Sequence, residues 1–99
     1  MAKEIRWSKT ALKDLERIES YIRESFGKKS ALKFLDELES VLNSVSMFPG
    51  IGTIIMEEEN VRGILIHRLT RVYYKEEDMI IILLRLFETY RNTDNINLD

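Results

Sequence analysis

Two hydrophobic rhythms divide the chain. Between residues 9 and 25, Leu12, Leu15, Ile18 and Ile22 recur at three- and four-residue steps, and Ala11 and Tyr21 widen the stripe. This spacing predicts an amphipathic helix. The intervening Lys13, Asp14, Glu16, Arg17, Glu19, Arg23 and Glu24 read as its solvated face, with Glu19 and Arg23 at favourable i,i+4 spacing. Ser8 stands where an N-cap belongs, without the Glu or Gln three places on that a capping box needs. Gly27 follows Phe26 as a left-handed C-cap residue. A second helix is expected from Lys29 or Ser30, with Ala31, Phe34, Leu35, Leu38, Val41, Leu42 and Val45 on one face, stopping near Ser46 or Met47. So short a link makes the two helices antiparallel neighbours, a hairpin able to lay its apolar stripe on a sheet.

The second rhythm is that of strands. Pro49-Gly50-Ile51-Gly52 breaks the helical pattern, and residues 53–56 follow as a short edge strand. The charged loop Glu57-Glu58-Glu59-Asn60 leads to a strand at 61–67. Runs at 69–74 and 79–87, separated by Lys75-Glu76-Glu77-Asp78, predict an antiparallel hairpin. Six consecutive apolar residues at 79–84 suggest that the second run is the central strand, covered on both faces. Residues 3–8, where Ile5 and Trp7 alternate with polar neighbours, form a brief strand joining the same sheet. The expected fold is α+β: a short N-terminal strand and a two-helix antiparallel hairpin packed on a small, mainly antiparallel sheet. It forms one domain over residues 1–99, with 92–99 as a polar tail.

Register decides which side chains share a face. A three-residue loop at 76–78 would set Arg71 opposite Leu83 and Leu69 opposite Arg85, gathering Arg71 and Arg85 on one side; a two-residue loop would separate them. The sequence leaves both open.

Composition narrows the function. The chain is 44% hydrophobic and 32% charged, which excludes a disordered protein, and it has no cysteine, which excludes disulfides, thiolate metal sites and a cysteine nucleophile. The charged N-terminus and the absence of a long apolar run point to a cytoplasmic protein without a membrane partner. A net charge of −2 argues against a general nucleic-acid binder. Yet residues 61–99 carry five of the eight arginines and one of the seven lysines, a bias suited to bidentate recognition of phosphate or carboxylate. Arg62, Arg68, Arg71, Arg85 and Arg91 are the candidate binding residues. The competing reading pairs them with glutamates across an exposed strand face. His67, the only histidine, is either a general acid or base or a plain strand-end residue. Tyr21, Tyr73, Tyr74 and Tyr90 read as half-buried fillers, and Trp7 as core or sheet-edge packing. No metal-ligand spacing or cofactor motif is present.

The order of elements, β-α-α-β-β-β, resembles the RelE/ParE superfamily of toxins from type II toxin–antitoxin systems. The resemblance rests on Trp7-Ser8 with Ala11, Asp14-Leu15 and Ile18; Tyr21-Ile22 and Phe26-Gly27; Ala31, Phe34 and Leu38; Phe48-Pro49 with Gly52; Val61-Arg62; Arg71-Val72-Tyr73-Tyr74; and 80–87 running into Arg91-Asn92. It implies a toxin that a cognate antitoxin protein neutralises, alone as a homodimer or within a toxin–antitoxin hetero-oligomer, of the kind associated with plasmid stabilisation.

Two branches of the family imply different chemistry. RelE-like members cleave ribosome-bound mRNA, and there Arg71 and Arg91 would be catalytic, with Arg62 beside them, stabilising charge on phosphate oxygens. Ile64, however, stands where that branch has a second basic residue, and Tyr90 precedes Arg91 instead of following it. The helical half, with Phe26-Gly27 and Phe48-Pro49, matches the ParE branch better, whose members bind DNA gyrase and need no hydrolytic site. The expected function is therefore growth inhibition by binding a cellular target. A ribonuclease acting on ribosome and mRNA, and a non-toxic binding module of the same fold, are the alternatives.

Overall fold

A computed structural model describes residues 2–66 and 70–88 of the 99-residue chain. Ser8 begins the first helix as expected: its Oγ accepts from the Ala11 N–H at 3.0 Å, and α1 runs Lys9–Phe26. Gly27 alone separates it from α2, Lys28–Met47. At φ 99° and ψ 165° Gly27 has the positive φ expected of it but an extended ψ, outside the left-handed helical well, and its N–H still closes α1 on the Arg23 carbonyl at 3.0 Å. α2 buries Ala31, Phe34, Leu38, Leu42 and Val45 of the periodic set read from the sequence, while Leu35 and Val41 of that set are partly buried.

The face of α1 differs from expectation. Its buried residues are Ala11, Asp14, Ile18 and Ile22, whereas Leu12 and Tyr21 are about half exposed. Asp14 is thus not on a solvated face; the core-facing row includes a carboxylate because the sheet beneath it supplies donors.

The strands β1 (Glu4–Trp7), β2 (Thr53–Met56), β3 (Val61–Ile66), β4 (Thr70–Glu76) and β5 (Ile80–Glu88) form one sheet in the order β1-β5-β4-β3-β2. β1 pairs parallel with β5, and every other pairing is antiparallel. β2 is an edge, as expected. β5 lies inside the sheet but β4 is its centre, and the helices cover one face only, so Ile80, Ile82 and Leu84 of the apolar run remain partly exposed. Both helices pack against Ile66, Val72, Tyr74, Ile81, Leu83 and Leu86, with Trp7 partly buried at the margin.

The hairpin register differs from both alternatives. Glu77, Asp78 and Met79 make the turn, Tyr74 faces Leu83, and Tyr73 faces Arg85, so Leu84 is an extra residue in β5. This β-bulge reverses the parity of β5 midway. Ile81 and Leu83 before it, and Leu86 and Glu88 after it, all join the helix-side face, which plain alternation could not achieve.

Candidate functional site

The face opposite the helices is assembled from β3, β4 and β5. Ladder partners Gly63, Tyr73 and Arg85 form one row across it, and Leu65, Arg71 and Phe87 the next. Gly63 opens room there. A Cβ at that position would lie 3.3 Å from Tyr73 Cε1, 3.4 Å from Arg71 Cδ and 3.4 Å from Ile55 Cγ1, so even a methyl group would crowd the tyrosine ring and fill the space against the arginine stem. Tyr73 is buried, edge-on to Phe87 with ring centroids 5.7 Å apart, and is no half-exposed filler.

Each predicted arginine meets a different fate. Arg71 is partly exposed and makes no hydrogen bond or ion pair with the described residues. Its guanidinium is available to a bidentate anion such as a phosphate or carboxylate. Arg85 shares this face by register, but its side chain turns to α1: Nε donates to Asp14 Oδ2 at 2.7 Å and Nη2 to Asp14 Oδ1 at 3.3 Å, while Cζ sits 4.5 Å from the Phe87 ring centroid. Arg62 pairs with Tyr74 and so lies in the row of the other face, where Nη1 donates to the carbonyls of Gly52 at 2.8 Å and Gly50 at 3.3 Å. The expected cluster of guanidinium groups is therefore not formed by Arg62, Arg71 and Arg85, because two of the three already have protein acceptors. His67, Arg68 and Arg91, with Tyr90 and the 92–99 tail, lie outside the described residues.

Lys75 is the cation that the sequence reading passed over. It follows Arg71 and Tyr73 at two-residue steps on β4 and is partly exposed, so alternation places it on the Arg71 face. Strand parity alone was enough to find it.

Two polar clusters brace the surface from behind. Asp14 accepts from the Leu86 N–H at 3.0 Å as well as from Arg85, and lies 3.5 Å from Arg17. Arg17 also pairs with buried Glu88, forming an alternating chain Arg85, Asp14, Arg17, Glu88. At the other end of the sheet, Tyr74 donates its hydroxyl to the Pro49 carbonyl at 2.6 Å and accepts from the Gly52 N–H at 3.1 Å. Burial of this ring raises the phenol pKa above its ordinary value, opposed by the Gly52 hydrogen bond and by nearby Arg62.

Among the described residues no group of three or more His, Asp or Glu is placed to hold a metal ion. No helix among them is long and apolar enough to cross a membrane. Among the described residues of the face opposite the helices, Arg71 is the guanidinium that has no protein acceptor.

Comparison with known proteins gives this architecture a family. By structure, the chain is similar to the chromosomal ParDE toxin–antitoxin system from P. aeruginosa, with a TM-score of 0.72 and 19% identity over 88% of this chain and 96% of that one. It is also similar to the RelBE2 toxin–antitoxin complex from Mycobacterium tuberculosis, with a TM-score of 0.61 and 17% identity over 89% and 99% of the two chains. A search of curated protein sequences finds no significant match. The family model described as "ParE toxin of type II toxin-antitoxin system, parDE" matches residues 5–92, from β1 through the last described strand, and the chain belongs to that family of type II toxins.

Proposed function

We propose that this protein arrests growth by binding a cellular target, DNA gyrase, through the sheet face that carries Arg71, and that a cognate antitoxin restrains it by covering the same molecule. The observation that carries the reading is the Arg71 guanidinium, which has no hydrogen bond or ion pair among the described residues, on a face where Arg6 is held by Glu4 and Arg85 by Asp14. Membership of the ParE family supports a gyrase target over the ribosome. The chemistry agrees: the described residues of this face offer cations, aromatic rings and aliphatic surface, and their one carboxylate, Glu4 at the β1 edge, is paired with Arg6. Such a surface can hold an acidic or phosphate-bearing partner and neutralise its charge.

Induction in growing cells without the antitoxin, followed by transcript mapping and by supercoiling assays on purified gyrase, tests the proposal. The expected result is growth arrest with inhibited supercoiling and intact transcripts. Cleavage within translated regions, abolished by Arg71→Ala, would instead establish a ribosome-dependent ribonuclease, and no arrest at all would leave a non-toxic binding module.

A further inference from the structure

The two helices and the end of the sheet enclose a groove of about 420 Å³. Buried Ile18, Ile22 and Phe34 form its floor, and exposed Tyr21 and Phe26 form its rim. The two rim rings meet edge-on, 6.2 Å between centroids, yet stay 44% and 66% exposed. A largely apolar concavity of this size with a few polar groups is the kind that takes up a ligand or an aromatic side chain. Its polar groups are Ser30, Lys33 and Glu37 along α2, and Thr70 and Glu88, a ladder pair, at the sheet end.

Glu88 is also the last residue of β5, so residues 89–99 leave the fold from the wall of the groove. Beyond the bulge at Leu84, β5 alternates plainly. Leu86 and Glu88 are buried on the helix side, and Arg85 and Phe87 lie on the Arg71 face. The same alternation carried past Glu88 assigns Tyr90 to the helix side and Thr89 and Arg91 to the Arg71 face. Two residues of strand span about 7 Å, so the first helix-side residue after Glu88 is an aromatic one within reach of the groove.

We propose that the groove is the dock for Tyr90 and that the docked ring is a latch, a positioning residue that presents Arg91 on the Arg71 face. Its role for Arg91 rests on the reading that this face contacts the target. Tyrosine suits the place: its apolar body covers Ile18 and Ile22, and its hydroxyl meets the polar groups along α2. The segment is joined to the groove wall, so docking costs none of the translational freedom that a separate partner would lose, at an effective concentration no free ligand matches. Ile96 and Leu98, farther along the chain, would have to close a longer loop. The latch also supplies what Arg85, held by Asp14, does not: a second guanidinium on the Arg71 face.

Two experiments on the full chain test this. In the isotope-labelled protein, nuclear Overhauser contacts are expected between the Tyr90 ring and the methyl groups of Ile18 and Ile22. Those methyl resonances should move downfield in Tyr90→Ala as the ring's shielding is lost, while Ile5, packed against the core beside β1, stays in place. Induction in growing cells without antitoxin, at matched soluble levels, reads the latch: Tyr90→Ala and Arg91→Ala should both lose growth arrest, and Tyr90→Phe should keep it. Absence of the Tyr90 contacts overturns the dock, as do contacts from Ile96 or Leu98 in their place. Intact contacts in the parent together with a fully toxic Tyr90→Ala overturn the latch. A parent that causes no arrest overturns the reading of the face and with it the role given to Arg91, whereas the Tyr90 contacts decide the dock independently.

Discussion

Asp14 Oδ2 lies 3.0 Å from the Leu86 backbone nitrogen and 2.7 Å from Arg85 Nε, so one carboxylate on the first helix completes the edge of β5 where β1 has ended. β1 follows β5 only as far as the Trp7–Leu83 pair. Beyond it the Ser8 N–H donates to the Leu83 carbonyl at 3.1 Å, the Ser8 hydroxyl to the Leu84 carbonyl at 3.2 Å, and Asp14 takes the next free donor. The turn from strand to helix thereby substitutes for the missing strand.

Removing that carboxylate leaves the buried Leu86 N–H without its acceptor and takes the Asp14 acceptor from the largely buried Arg85 guanidinium. Asp14→Ala is expected to destabilise the fold by about 3–5 kcal/mol, the usual range when one partner of a buried ion pair is deleted. Asp14→Asn, which can still accept from Leu86, should lose less. Urea unfolding with a constant m-value measures both.

Gly52 and Tyr74 make a second, steric prediction. A Cβ on Gly52 would fall 2.5 Å from the Tyr74 hydroxyl and 3.0 Å from the Gly63 carbonyl oxygen. Gly52→Ala should therefore cost about 1–3 kcal/mol by overpacking. Combining it with Tyr74→Phe removes the nearer clash, so the double variant should be more stable than the sum of the single effects, as a thermodynamic cycle would show.

Tyr74 also gives the stability a dependence on alkaline pH. Its pKa is raised in the folded state, mainly by burial, so the folded chain holds the phenol proton more tightly than the unfolded one. The associated stability is complete below the ordinary tyrosine pKa of 10.0 and declines as pH rises through the folded value. Denaturant midpoints between pH 9 and 11 should fall in the parent and fall less in Tyr74→Phe, which starts lower because the Gly52 N–H has lost its acceptor.

The helical half of the fold was legible because a 3.6-residue period runs the length of α2 and a capping serine marks the start of α1. Asp14 was misread because periodicity counts apolar residues, and a carboxylate that accepts from a strand edge and an arginine is invisible to it. The six-residue apolar run misled for a different reason. The bulge at Leu84 places Leu83 and Leu86 on the same face, so continuous hydrophobicity reflects changing parity and a partly exposed back, not burial on both sides. Among the site residues, Arg71 and Lys75 follow from alternation. The engagement of Arg62 and Arg85 does not, since their acceptors lie 10 or more positions away, in the strap and on α1.

The central claim, that Arg71 is the contact through which the protein acts on its target, is tested most directly by inducing the parent and Arg71→Ala in growing cells without antitoxin, at matched soluble levels. As a partly exposed residue without a described partner, Arg71 should be replaceable with a stability change of about 0.5 kcal/mol or less, so that any change in effect on growth reports on the contact itself. The account predicts that the parent arrests growth and that folded Arg71→Ala does not. Equal toxicity of the two at equal levels would contradict it.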